Sequence, residues 1–258
     1  MPKLPPSQAR VELYLVKNGF SGEIAINSGH KNLHAIRQMR KRDRFYTFSI
    51  QAIHQALKGR KLSVGLVKKI VIDASGSNSR RIKRLNKGYF DPQKSSAQLL
   101  AYIDELEAAA KSKKRIIFAT GHPGAMVGFY SVLADWAESL GAKIVTLDRS
   151  IKVDGRYYLD MVGKVFTPSD NCSAWHSHDA TYMEALLAKA KADLVVADHG
   201  FAGAALNHGI RTLAIYDTDD PALPVAASLG ESVLAVPIHD NRYNVDGANL
   251  AKFIIGGR

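Results

Sequence analysis

The sequence predicts an α/β protein: an open, mostly parallel sheet with helices on both faces, preceded by a helical, basic N-terminal layer. Three observations point there. From residue 115 onward, short apolar runs alternate with amphipathic stretches. Those runs end again and again on ionisable residues. Positive charge is gathered toward the N-terminus: residues 1–90 hold 19 Lys and Arg against 4 Asp and Glu, and residues 91–258 hold 16 against 20, in a chain of 258 with net charge +11. No linker or internal repeat interrupts the text, so residues 1–258 are expected to form one domain, with a mainly helical basic part over 1–110 and a βα-repeat core over 111–258.

In chain order, residues 30–45 ("HKNLHAIRQMRKRDRF") and 48–61 ("FSIQAIHQALKGRK") carry helical spacing. Residues 68–74 ("KKIVIDA") read as a buried strand, and 75–92 ("SGSNSRRIKRLNKGYFDP") as a polar, basic connection. Residues 93–114 form a helix whose closing lysines complement its dipole. Strand "RIIFAT" (115–120) is followed by a helix over 123–141 that ends at Gly141. Next come strand "KIVTL" (143–147), a hairpin around Asp154 and Gly155, and a helix over 179–192. The chain closes with strands at 193–197, 212–216 and 232–237, separated by helices at 202–209 and 221–230, and a last helix at 247–255. Strands of this length with helical crossovers between them imply βαβ units, hence a parallel sheet covered on both sides.

Several classes are excluded by composition. No apolar run approaches the roughly 18 residues of a membrane span. The N-terminal stretch carries Pro and charges where a signal peptide needs an apolar segment, so a cytoplasmic protein is expected. The single cysteine, Cys172, allows neither an intrachain disulfide nor a multi-cysteine zinc site. It reads as a bystander thiol in a loop.

In open parallel sheets the carboxyl ends of the strands share one edge, and ligands bind there. His122, Asp148, Asp198, His199, Asp217, Asp219 and Asp220 all fall at such ends. "TGHPGAM" (120–126) puts Gly121 and Gly124 where backbone must approach a ligand closely and Pro123 in a first helical turn, whose free amides attract phosphate. It lacks the ending of a P-loop. "HSHD" (176–179) turns His176 and His178 to the same side of an extended segment, and Asp198 and His199 would complete a mixed nitrogen and oxygen set suited to zinc, manganese or iron. "DTDDP" (217–221) crowds three carboxylates, which raise one another's pKa unless a cation or Arg sits nearby. Each residue has a plainer reading: Asp198, Asp219 or Asp220 as helix caps, and the glycines as an ordinary turn.

"FATGHPGAM", "HSHD" and "VVADHGFAGAALNHGIRTLAIYDTDDPALPVA" together resemble a family of bacterial α/β proteins labelled phosphatase, in which these motifs follow in this order. The likeness covers most of residues 115–240 and extends faintly to 32–45 and 90–92. It departs at 75–89, which is more basic than the family pattern, and fades after Asp240. The resemblance implies site positions at His122, His176, His178, Asp198, His199, Asp217, Asp219 and Asp220, with Asn32, Arg37 and Asp91 as weaker ones.

The expected function is hydrolysis of a phosphate monoester of a small molecule. His122, His199, Asp198 and Asp219 are the candidate catalytic residues; Gly121, Gly124, Asn32 and Arg37 would hold phosphate. A divalent ion (Zn, Mn, Fe or Mg) would sit on His176, His178, Asp198 and Asp217, because clustered carboxylates are easier to explain around a cation than beside a phosphate. Without metal, a histidine would serve as nucleophile or general acid. The alternative is a nucleotide, sugar-phosphate or nucleic-acid binder using the basic half, with Phe45, Tyr46, Tyr89 and Phe90 as stacking candidates. A metal-dependent lyase or isomerase on the same fold is a third reading.

Overall fold

The computed structural model describes residues 4–24, 27–77 and 87–258, so half of the basic connection expected at 75–92, residues 78–86, lies outside the described residues. Strands β3 (Arg115–Ala119), β8 (Leu194–Ala197), β9 (Thr212–Tyr216) and β10 (Val233–Pro237) run parallel in an eight-stranded sheet, with β10 at its edge. Its order is β10-β9-β8-β3-β7-β6-β5. β5 (Ile151–Asp154), β6 (Tyr157–Val162) and β7 (Val165–Ser169) extend it as an antiparallel meander, the expected hairpin, with β7 parallel to β3. β4 (Lys143–Ile144) pairs only with Arg115 and Ile116 at the start of β3, and β7 takes over the same edge at Phe118 and Ala119.

The central strands are buried almost throughout, as a sheet covered twice requires, and their side chains alternate between two cores. Ile116 and Phe118 of β3 join a core built with α1 (Gln8–Lys17), α6 (Pro92–Lys111), α7 (Pro123–Ser139) and α11 (Asn244–Ile255). Ile117 and Ala119 face the other way, into a core with α2 (Gly29–Arg40), α4 (Gln51–Lys58), α5 (Val64–Ser75), α8 (Thr181–Leu187), α9 (His199–Asn207) and α10 (Ala222–Ser228). The short α3 (Arg44–Thr47) leads into Phe48 and Ser49, both with positive φ. A separate two-stranded ribbon, β1 (Gly22–Ile24) with β2 (Gly88–Phe90), sits beside the sheet edge.

The N-terminal segments are helical, and one expectation there is corrected. Residues 68–74 lie inside helix α5, not a strand. The Ser63 hydroxyl accepts from the Leu66 amide at 3.1 Å, and Gly76 closes the helix at φ 67°, so a cap and a stop bound a segment whose apolar run alone looks like a strand. Elsewhere the cap chemistry matches the sequence: Ser28 caps α2, and Asp91, followed by Pro92, caps α6. The capping role of Asp91 explains that residue without a part in a site.

Candidate active site

β3 connects through α7 to β4 on one side, whereas β8 connects through α9 to β9 on the other. The chain therefore diverges between β3 and β8, the switch point at which open α/β sheets place ligands. Asp198, fully buried after β8, bridges that point. Its Oδ2 accepts from Thr120 Oγ1 at 2.6 Å and its Oδ1 from the Gly121 amide at 2.7 Å, both just after β3. Oδ1 also meets His199 Nδ1 at 2.8 Å. Asp198 precedes α9 but makes no capping bond, so its carboxylate is committed to the site and not to the helix.

His199 opens α9 with φ 46°, an uncommon conformation for a residue with a Cβ and one held here by its surroundings. Because a carboxylate only accepts, Nδ1 carries a hydrogen and Nε2 is turned toward Asp220 Oδ2 at 3.6 Å and Asp240 Oδ2 at 3.7 Å. Burial alone would lower its pKa, but Asp220, Asp198 and Asp240 raise it to about 10. The site demands positive charge at this point.

The "HSHD" segment passes directly over both turns. Ser177 donates its amide to the Gly121 carbonyl at 2.8 Å, and a methyl on Gly121 would strike the Ser177 carbonyl oxygen. A methyl on Gly200 would likewise strike the His178 carbonyl. These glycines thus admit a neighbouring strand of backbone. His178 Nδ1 donates to the Phe45 carbonyl at 2.9 Å, leaving Nε2 as an acceptor 3.1 Å from His176 Nε2. His176 stacks on His122 at 4.4 Å between centroids, and His178 lies 4.3 Å from His199. Desolvation first, then His199, lowers His176 to about 4 and holds His178 far below its ordinary value. Both rings are neutral.

The carboxylates come from β9 and β10. Burial lifts Asp217 to about 6 despite a 2.6 Å bond from His239 Nδ1, and burial pushes Asp220 well up despite the nearby His199. Burial would raise Asp240 too, but His122 and His199 hold it well below the usual carboxylate range. Neither Asp219 nor Asp220 caps α10, whose preceding residue Pro221 makes no side-chain cap. Asp219 instead pairs with Lys31 Nζ at 2.7 Å and accepts from Asn27 Nδ2 at 3.0 Å.

Together His122, His176, His178, His199, Asp217, Asp219, Asp220 and Asp240, with Asn27, Lys31 and Asn241, line a cavity of about 70 Å³. Asp198 forms its floor through His199. Other candidates fall outside. Asp148 is exposed beyond the two-residue β4, which ends too early to carry it to the edge. Arg37 is exposed on α2 and Gly124 sits in the first turn of α7; neither lines the cavity. Asn32 faces a neighbouring cavity, and Phe90 is core, packed against Tyr216, so it offers no stacking surface. Phe45 stacks on His178 and supports the site instead. Cys172 is exposed.

Sequence reasoning missed His239, Asp240, Asn27 and Lys31. The first two follow strand "SVLAVP" by one intervening residue, so the strand-end rule applied to "IHD" would have found them. Asn27, from an irregular segment, and Lys31, from the first turn of α2, reach the site across 192 and 188 residues without a local signature.

Three groups, the first two sharing His199, have ligand atoms close enough to hold a cation: His122, His176 and His199; His178, His199 and Asp220; and Asp217, His239 and Asp240. His122 Nδ1 and Asp240 Oδ2 are buried without a hydrogen-bond partner among the described residues, and both point into this cluster. The donor set is imidazole and carboxylate, which suits zinc, manganese or iron.

Fold and site define a doubly wound α/β protein with a histidine and aspartate pocket at the carboxyl edge of its parallel strands. Residues 6–256 match the family described as Phosphatase, and the chain belongs to that family. It is 29% identical over 242 residues to the protein named Phosphatase SCO2771 of Streptomyces coelicolor, covering 92% of this chain and 90% of that one. Among the described residues no helix is long and apolar enough to cross a membrane.

Proposed function

We propose that the protein hydrolyses phosphate monoesters of small molecules with the help of a divalent cation held in the histidine and aspartate pocket. Family membership and the likeness to a protein named phosphatase support phosphate-ester chemistry. The observation that carries the metal reading is the approach of Asp220 Oδ2 and Asp240 Oδ2 to within 3.6 and 3.7 Å of His199 Nε2, which calls for a proton or a cation between them.

His122, His176, His178, His199, Asp220 and Asp240 would hold the ion. When bound, it supplies charge for the phosphoryl oxygens and lowers the pKa of water. The chain's own residues do the rest. Asp198 fixes the His199 tautomer, and the Phe45 carbonyl fixes that of His178, so each ring presents Nε2 inward. Lys31, held at the mouth by Asp219, is placed to attract the dianionic ester. Asp217, raised to about 6 and bonded to His239, is suited to proton exchange with the departing alcohol or the attacking water. Of the sequence candidates, Asp198 and Asp217 become supporting and proton-handling groups, and Asp219 a partner of Lys31.

The test combines metal analysis with phosphate release. The protein purified without chelator should carry zinc, manganese or iron, release phosphate from a panel of monoesters, lose that activity on chelation and regain it on metal return. Asp240→Asn should lose metal and activity together. Absence of release under every metal tried would overturn the proposal.

A further inference from the structure

Beside the polar pocket lies a second, larger cavity of about 210 Å³. Leu33 and Ile36 of α2 form one wall, and Val71 and Ile72 of α5 the other. The hydroxyls at its base are already engaged within the protein: Ser75 donates to Ser77 at 2.7 Å, and Ser77 donates to the Tyr89 carbonyl. What they leave open is largely hydrocarbon.

The two cavities share one wall. Thr218 faces the apolar cavity and bonds Asn32, while its chain neighbours Asp217 and Asp219 face the polar one. That wall is buttressed: Gly88 packs so tightly on Thr218 that a methyl there would strike its side chain, and the Gly88 amide donates to the Asn27 carbonyl. Helix α2 likewise sends Lys31 toward the polar cavity and Asn32 and Leu33 toward the apolar one.

From this juxtaposition we infer that the apolar cavity binds the leaving group of the ester, and that the substrate is a phosphate monoester of a compact apolar alcohol or phenol about one ring in size. The inference rests on the phosphate-ester reading of the neighbouring site. Size fits: a dry apolar cavity of about 150 Å³ holds benzene, and this one is moderately larger. The chemistry fits as well, because the aliphatic walls of Leu33, Ile36, Val71 and Ile72 reward burial of a ring, with Lys68 the charged residue of the lining.

The test uses phosphonates, which bind without being hydrolysed. Phenylphosphonate and methylphosphonate are titrated calorimetrically into the full chain with manganese(II) present, and into Val71→Trp, which fills the cavity from a partly exposed position, and Ile72→Asn, which makes its wall polar without filling it. Burial of a ring predicts that the wild type prefers the phenyl compound by roughly 10- to 100-fold. Both variants should bring that ratio to within about threefold, with methylphosphonate affinity unchanged. A wild-type ratio near one, a preference that survives in both variants, or no binding of either compound overturns the inference. Phosphate release from phenyl phosphate bears on the hydrolase reading alone, so a protein that prefers phenylphosphonate yet releases nothing would refute hydrolysis and keep the apolar site.

Discussion

Replacing Asp198 by Ala and by Asn separates the structural and chemical work of one buried carboxylate. The side chain is fully buried and receives three donors: Thr120 Oγ1 at 2.6 Å, the Gly121 amide at 2.7 Å and His199 Nδ1 at 2.8 Å. In the Ala variant all three lose their acceptor. Each orphaned buried donor costs about 1–3 kcal/mol, and some relaxation is available to the Thr120 hydroxyl, so the loss should be about 3–6 kcal/mol. For a chain of this size that is a fall in Tm of roughly 6–24 °C. Asn keeps an oxygen for Gly121 and His199 and can donate to Thr120 Oγ1, so it should cost about 1–2 kcal/mol. Both variants should nevertheless lower metal affinity by about 10- to 100-fold, because the charge that orients and polarises His199 is gone. Urea unfolding at a fixed metal concentration reads the first quantity, and titration of the metal-stripped protein reads the second. An Ala variant within 1 kcal/mol of the wild type, or an Asn variant with undiminished metal affinity, would refute the reasoning.

The metal-free protein should lose stability on the alkaline side. The folded state raises His199 from 6.5 to about 10, so its contribution is complete below pH 6.5 and is lost as pH rises through about 10. Thermal melts across that range should show the decline in the wild type and a flatter profile in His199→Gln. Gly203→Ala should destabilise the fold by several kcal/mol, about 2–4, since the added methyl would strike the Phe48 carbonyl, and it should also disturb the site because Phe48 packs edge-on against His178 and His199; chemical denaturation and metal titration check the two halves. Asp219→Asn should leave metal content intact and raise KM by severalfold by loosening Lys31, while kcat changes little; the steady-state profile decides.

Legibility in the sequence followed the range of the forces. The central strands were readable because their apolar character depends only on being buried on both faces, and the residues after them were readable because the chain direction forces all parallel strands to end at one edge. Asp148 failed that logic for a local reason: β4 is displaced from the β3 edge by β7 after two residues. The helix at 64–75 was misread because its apolar run is compatible with either structure, and the deciding marks, Ser63 and Gly76, lie outside it. Gly121 was correctly singled out for close approach, but what approaches is the Ser177 backbone. Lys31 and Asn27 were illegible because only the tertiary fold brings α2 to the turn after β9.

The division of the β3 edge has a consequence for where the molecule can change. Asp198, His199, Asp217, Asp220 and Asp240 stand on the repeating parallel units, whereas His176 and His178 arrive on the chain that leaves the antiparallel meander. A methyl on Gly155, at the turn between β5 and β6, would meet nothing, whereas the turn at Gly163 is tied to α7 by Lys164, which pairs with Asp135 and Glu138. The Gly155 tip can therefore lengthen, shorten or acquire new surface while the imidazole pair stays clamped by Gly121 and Gly200. Variation can accumulate at the rim of this protein without being transmitted to its floor.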